Sequence, residues 1–269
     1  MVKFCVGGNT MSDIETGLKE KYKEFWYDIY NIEKKEVRNL KAYIDYVEKT
    51  LRNYMSSDID YSGIKNLFIQ KQLDYLDEAF SSMLLGNYNA LSCMIRIMIE
   101  NYVSLELIKK YRKEQVWKDW YLHGHYKLYK SMDREPYYTK LKDCYNSLCD
   151  ILNVSHDYIN DRNSYGWLRR VVKLKSYNFK NACALVNPRI YKDYENLSSQ
   201  IHNNTFPTKR SIFLMEQLAH FIHQIYFYTD KTIAAFDRRY FRRPQYNVLA
   251  RQLLESIYNC LNYGKTVKE

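Results

Sequence analysis

The sequence predicts an all-α fold, a helical bundle with a long N-terminal helix, and three observations carry that expectation. Apolar residues recur at helical spacing through most of the 269 residues, the period of helices with a buried face. Glycine and proline are scarce, at 8 and 4 residues, which argues against a sheet-rich fold and against long linkers. No strand-like alternation and no internal repeat stands out.

The elements follow in order. Ser12 and Glu15 form a capping-box pattern for a helix starting near Asp13. Its apolar stripe runs from Leu18 through Phe25, Ile32, Leu40 and Val47 to Tyr54, ten whole turns, for a helix ~60 Å long. Such a helix either folds along the bundle, breaks near Asn31, or projects as an association arm. The chain therefore divides into an N-terminal long helix or arm, 1–60, and a helical bundle domain, 61–269.

A second helix is expected from Gly63 to Leu85, closed by Gly86-Asn87, and a third from Tyr88 to Lys113. The third is apolar on more than one face and should be central. Further helices are expected at Glu114–Met132, Tyr137–Leu152, Tyr177–Leu185, Pro188–His202, Lys209–Tyr240 and Gln245–Tyr263. Pro136, Pro188, Pro207 and Pro244 all fall where a helix should begin. Asn153 to Tyr165 is polar and aperiodic and reads as a surface loop.

The net charge of +10 favours polyanionic partners. Six cysteines form no C-x2-C pair and no secretory leader precedes them, so they read as reduced core thiols of a cytoplasmic protein. No apolar run approaches a membrane span. The 28 tyrosines, with abundant Asn, Ile and Lys, fit an A/T-rich genome.

Several polar groups sit in stripes otherwise built for a core. Arg96 and Glu100 share one side of the third helix, where the intervening residues are apolar, and buried charges need partners. They read either as an intrahelical ion pair that tethers a loop, or as a guanidinium that binds phosphate while the carboxylate holds its fork. Ser198 and His202 are also four apart, at a helix end where the dipole stabilises a charged imidazole. His202 is either a cap or a general acid or base.

Glu216, His220 and His223 share a helix face but lack a complementary donor set elsewhere, so neither a metal nor a cofactor is expected. His123 and His125 flank Gly124 among aromatic residues and carry no stronger signal. Two basic clusters, Arg238-Arg239-Tyr240-Phe241-Arg242-Arg243 and Arg169-Arg170 with Lys173 and Lys175, suit an RNA backbone and unstacked bases, or form solvated helix ends.

The ordered set of R-x3-E at Arg96, Tyr165-Gly166-Trp167, and Tyr194-x3-Ser198-x3-His202 resembles an uncharacterised bacterial helical family of HEPN-like all-α folds. The likeness covers roughly Tyr61 to Tyr228. It implies an RNA-directed protein of a bacterial defence or toxin system, acting as a homo-oligomer or with a defence-complex partner. HEPN ribonucleases work without metal through an R-x4-6-H stretch, which is missing here, so the resemblance assigns the arginine's role to Arg96 from another helix. His202 would then deprotonate a ribose 2′-hydroxyl, with Glu100 orienting Arg96 and Ser198 holding the imidazole. The alternative is a non-catalytic helical module that binds nucleic acid, a nucleotide or a protein.

Overall fold

One helix is sealed on nearly every side, and the rest of the chain is arranged around it. In α3 (Tyr88–Lys110), the side chains of Leu91, Ile95, Met98, Ile99, Val103, Leu105, Leu107 and Ile108 are all 0% exposed. Burying each is worth about 1.5–3 kcal/mol, which fixes α3 as the axis. The computed structural model describes residues 35–52, 59–84, 87–132, 134–161, 163–202, 210–237 and 242–266.

The other helices are α1 (35–51), α2 (Tyr61–Leu84), α4 (Val116–Ser131), α5 (Tyr137–Ile151), α6 (Phe179–Val186), α7 (Arg189–His202), α8 (Arg210–Phe236) and α9 (Pro244–Thr266). Among the described residues there is no strand, so the all-α expectation is met. None of these helices is long and apolar enough to cross a membrane. α3 packs against α2, α4, α6, α7 and α8, while α8 carries α9 and α4 carries α5.

Side-chain caps explain where the helices begin. Asp60 Oδ1 accepts the Gly63 N–H at 2.7 Å, so α2 starts at Tyr61 rather than Gly63. Asn87, expected to close α2, also caps α3 by accepting the Ala90 N–H at 3.1 Å. α3 stops at Lys110 rather than Lys113 because a 3-10 turn, Arg112–Glu114, intervenes and Gln115 turns left-handed at φ 55°. Asn178 accepts from the Asn181 N–H at 3.0 Å and moves the start of α6 to Phe179. Pro244 opens α9, Pro136 and Pro188 precede α5 and α7, and Pro207 lies outside the described residues.

The N-terminal stripe is described only from residue 35, and the expected segment from Asp13 to Asn31 lies outside the described residues. What is described belongs to the core: Leu40, Tyr43, Ile44 and Val47 are fully buried. Tyr43 donates to Asp230 of α8 at 2.8 Å, and Asn39 Nδ2 donates to Ser256 Oγ of α9 at 2.8 Å. Arg52, just past α1, binds Asp77 of α2 at 2.9 Å. The 35–51 segment is therefore bundle wall.

The thiols divide by helix face. Cys149, Cys183 and Cys260 are buried and Cys93 is half-buried, as expected of core thiols, but Cys144 is exposed. It lies on the outer side of α5, whose inner side presents Tyr145, Leu148 and Cys149. Cys5 lies outside the described residues.

Candidate functional site

The packing of α7 on α3 brings Arg96 and Glu100 to one tyrosine, Tyr194. Arg96 Nη2 donates to Tyr194 Oη at 2.6 Å, and Tyr194 Oη donates to Glu100 Oε1 at 2.9 Å. The guanidinium carbon also lies 4.4 Å from the centre of the Tyr194 ring, a cation–π contact. Arg96 and Glu100 are thus joined through a phenol from another helix. The ring is held in turn by Phe179 at 4.3 Å between centroids and by Tyr191, which stacks at 6.3 Å.

Ser198 sits one turn further along α7, and its hydroxyl donates to the Tyr194 carbonyl at 2.9 Å. That commits its one proton within the helix. His202 ends α7, eight residues past Tyr194 and so ~12 Å along the axis. Its side chain lies outside the described residues. Tyr194 shared a motif with Ser198 and His202 in the sequence but carried no role there. Its one usable signal was its place a turn before Ser198.

The Tyr165-Gly166-Trp167 element forms a short 3-10 turn, Gly166–Leu168, packed on α4. Tyr165 and Trp167 are 4% exposed, and burial pushes the Tyr165 phenol up against a hydrogen bond from Ser104. Glycine is required at 166, since a Cβ there would lie 2.6 Å from Asp161 Cγ. Asp161 earns that closeness by organising the loop. It accepts from Arg169 Nε at 2.9 Å and Nη2 at 2.6 Å, and from the Asn163 backbone at 2.9 Å and side chain at 2.7 Å. Burial opposes its charge, but these hydrogen bonds outweigh it and hold the carboxyl below its ordinary range.

Two cavities flank this element. One, of about 500 Å³, is lined by Asp119, His123, Tyr158, Asp161, Trp167 and Arg170, among others. The other, of about 630 Å³, includes Lys71, Glu100, Ser104, Trp120, His125 and Tyr165. His123 and Trp167 line both, and so form the wall between them. Glu100 therefore serves the Tyr194 contact and faces a cavity as well.

Asp119 and His123 are one turn apart on α4 and are 2% and 3% exposed. Asp119 Oδ1 and His123 Nε2 are buried without a hydrogen-bond partner. Burial raises the Asp119 carboxyl against a hydrogen bond from Tyr158 and the charge of Arg170. Burial, reinforced by Lys127, lowers the His123 imidazole against hydrogen bonds to the Asn163 and Asp161 backbone. Sequence reading gave Asp119 no role, although a carboxylate between Trp117 and Trp120 was a signal of a special environment.

The basic residues are placed unevenly. Arg169 and Arg170 are exposed and line the smaller cavity, with the Arg170 guanidinium 3.5 Å from the Tyr158 ring centre and donating to the Tyr158 carbonyl at 2.8 Å. Arg242 is exposed and Arg243 half-buried ahead of α9, while Arg238 and Arg239 lie outside the described residues. His223 is exposed and stacks on Phe227, and His220 is half-buried. The Glu216 side chain lies outside the described residues, and among those described no three His, Cys, Asp or Glu gather as metal ligands.

No family model matches the chain, and no curated protein or solved structure matches it either.

Proposed function

We propose that this chain is a HEPN-like helical module that binds RNA, with Arg96, Tyr194 and Glu100 as a structural clasp between α3 and α7. The observation that carries the reading is the Tyr194 hydroxyl seated between the guanidinium and the carboxylate. Arg96 is half-buried at the α3–α7 seam, with its Nε buried and unpartnered, whereas Arg169 and Arg170 are exposed, so a phosphate arriving from solvent reaches the latter pair more readily. The RNA-facing element is then the aromatic-walled cavity rimmed by Arg169 and Arg170, on a chain of net charge +10. Arginine beside an aromatic wall suits single-stranded RNA, which offers phosphate and unstacked bases together.

The test is binding of labelled single-stranded RNA over a salt series. Affinity should fall as salt rises, and Arg169→Ala with Arg170→Ala should flatten that slope. Arg96→Ala should lower the melting temperature while the protein that remains folded binds as wild type. Salt-independent binding, or no binding by folded protein, would remove the proposal.

A second reading has a specific observation behind it: Arg96 and Glu100 meet at the Tyr194 hydroxyl, on the helix that carries Ser198 and ends at His202. On that reading the chain is a metal-independent ribonuclease of a bacterial defence or toxin system. His202 takes the 2′-hydroxyl proton and Arg96 leaves Tyr194 to meet the phosphoryl oxygens. Incubation with total RNA in EDTA decides it. Products with 2′,3′-cyclic phosphate ends that vanish in His202→Ala would establish the enzyme, and intact RNA would leave the binding module.

A further inference from the structure

The middle of α4 carries a glycine that neither the helix nor its packing requires. Gly124 has ordinary helical backbone, and glycine in a helix interior is less favourable than alanine. Crowding does not demand it, because a Cβ at 124 would meet nothing within 4 Å, whereas one at Gly166 would strike Asp161. What the missing side chain does provide is a bare strip of helix in the wall of the larger cavity. Trp120 and Leu128, one turn before and one turn after, line the same cavity, so the strip lies between an indole and an aliphatic side chain.

The cavity also receives Lys71 from α2. Its Nζ lies 5.1 Å from the centre of the Trp120 ring, and Phe68 packs on that ring at 4.4 Å between centroids. Lys71 is half-buried, and burial lowers its amine with no nearby carboxylate to oppose it. A cation drawn out of water without a counter-charge is costly. Lys127, exposed on α4, adds a second positive group to the lining. The one carboxylate of that lining among the described residues is Glu100, whose Oε1 is committed to Tyr194.

A ligand that fits supplies the negative charge that Lys71 lacks and a flat body that can lie on Gly124 beside the Trp120 indole. A cation would be repelled by both lysines. A neutral molecule would desolvate Lys71 further and leave it unpaired. A saturated ring is thicker than an aromatic one and gives up stacking on the indole. The volume of about 630 Å³ suits a single small molecule. We infer that the larger cavity binds a small aromatic anion, a carboxylate or a phosphate ester, with Lys71 as its counter-charge and Gly124 as the floor under its ring. The site is separate from Arg169 and Arg170, which line the smaller cavity, and does not depend on RNA binding.

The experiment is calorimetry of the full chain with naphthoate and naphthyl phosphate, beside the neutral naphthamide and the cationic naphthylmethylammonium. These probes share one ring system and differ in charge. The expected result is binding of an anion about tenfold or more tighter than the amide or the ammonium, and whichever anion binds tighter names the acid group. Lys71→Met should remove the preference for the anion over the amide. Gly124→Leu fills the bare strip and should abolish binding while the melting temperature stays at or above that of wild type, since leucine is the better helix former. Equal affinity for the anions and the amide, wild-type affinity in Gly124→Leu, or no binding of either anion by folded protein would overturn the site. Displacement of bound naphthoate by single-stranded RNA would give the cavity to RNA and overturn it as well.

Discussion

Arg96 meets Tyr194 twice, through a 2.6 Å hydrogen bond to its hydroxyl and through a guanidinium 4.4 Å from its ring centre. The phenyl ring and the hydroxyl make separable contributions. Tyr194→Phe keeps the ring and deletes the oxygen that links Arg96 to Glu100. The variant should lose about 1.5–3 kcal/mol of unfolding free energy in urea, the range for hydrogen bonds to charged groups. Tyr194→Leu, which removes the ring as well, should lose more.

Asp161 fills the space that a side chain at 166 would need. Gly166→Ala brings a Cβ within 2.6 Å of Asp161 Cγ, in a loop where that carboxylate is held by Arg169 and Asn163. Overpacking of this kind costs about 1–3 kcal/mol, measurable as a lower denaturation midpoint. Asp161→Ala would keep a Cβ 2.8 Å from the new methyl, so Asp161→Gly is the change that opens the space, and paired with it the cost should be less than the sum of the two single changes.

Asp230 is the shared acceptor of three phenols. Tyr43, Tyr226 and Tyr246 all donate to it, from α1, α8 and α9. Burial raises its carboxyl above the ordinary value, and the three hydroxyls oppose this only in part. The folded state therefore holds this proton more tightly than the unfolded chain does. Its contribution to stability is full below the ordinary carboxyl value of 3.8 and declines as pH rises from there to the raised value. Asp230→Asn, which does not titrate, should lack that decline when unfolding is measured across the acid range.

Cysteine reactivity should follow burial. The Cys183 thiol is pushed up to about 12 by burial and by the nearby charge of Glu100, while Cys144 is exposed. Brief alkylation of native protein at pH 7.5 should label Cys144 and spare Cys149, Cys183 and Cys260, as read by peptide mass spectrometry. Labelling of Cys183 at the same rate as Cys144 would show that α6 opens readily.

Helical periodicity located the described helices to within a few residues, because an apolar stripe is written in local sequence. At Asp60, Gln115 and Asn178 a side-chain cap or a left-handed residue decides the boundary that periodicity misplaced, while α8 ends at Phe236, short of the expected Tyr240. The site was legible as residues and less so as geometry. Arg96, Glu100 and Ser198 stood out as polar groups in apolar stripes. Their junction did not, since Tyr194 lies 98 positions from Arg96 and is one of 28 tyrosines. Asp119 went unread, and His123 was named only as a histidine flanking Gly124, because the rest of the cavity wall they share comes from the irregular connection after α5, whose path no periodicity encodes.

Asn39 and Ser256, 217 residues apart, are hydrogen-bonded neighbours, and Asp230 is gripped from α1 and α9 together. A ribosome must therefore add the 217 residues from Asn39 to Ser256 before the first junction can close. Until α9 emerges, Tyr43 lacks the neighbouring ring of Tyr246 and Asn39 lacks Ser256, so the α1 side of the nascent bundle stays unsealed there.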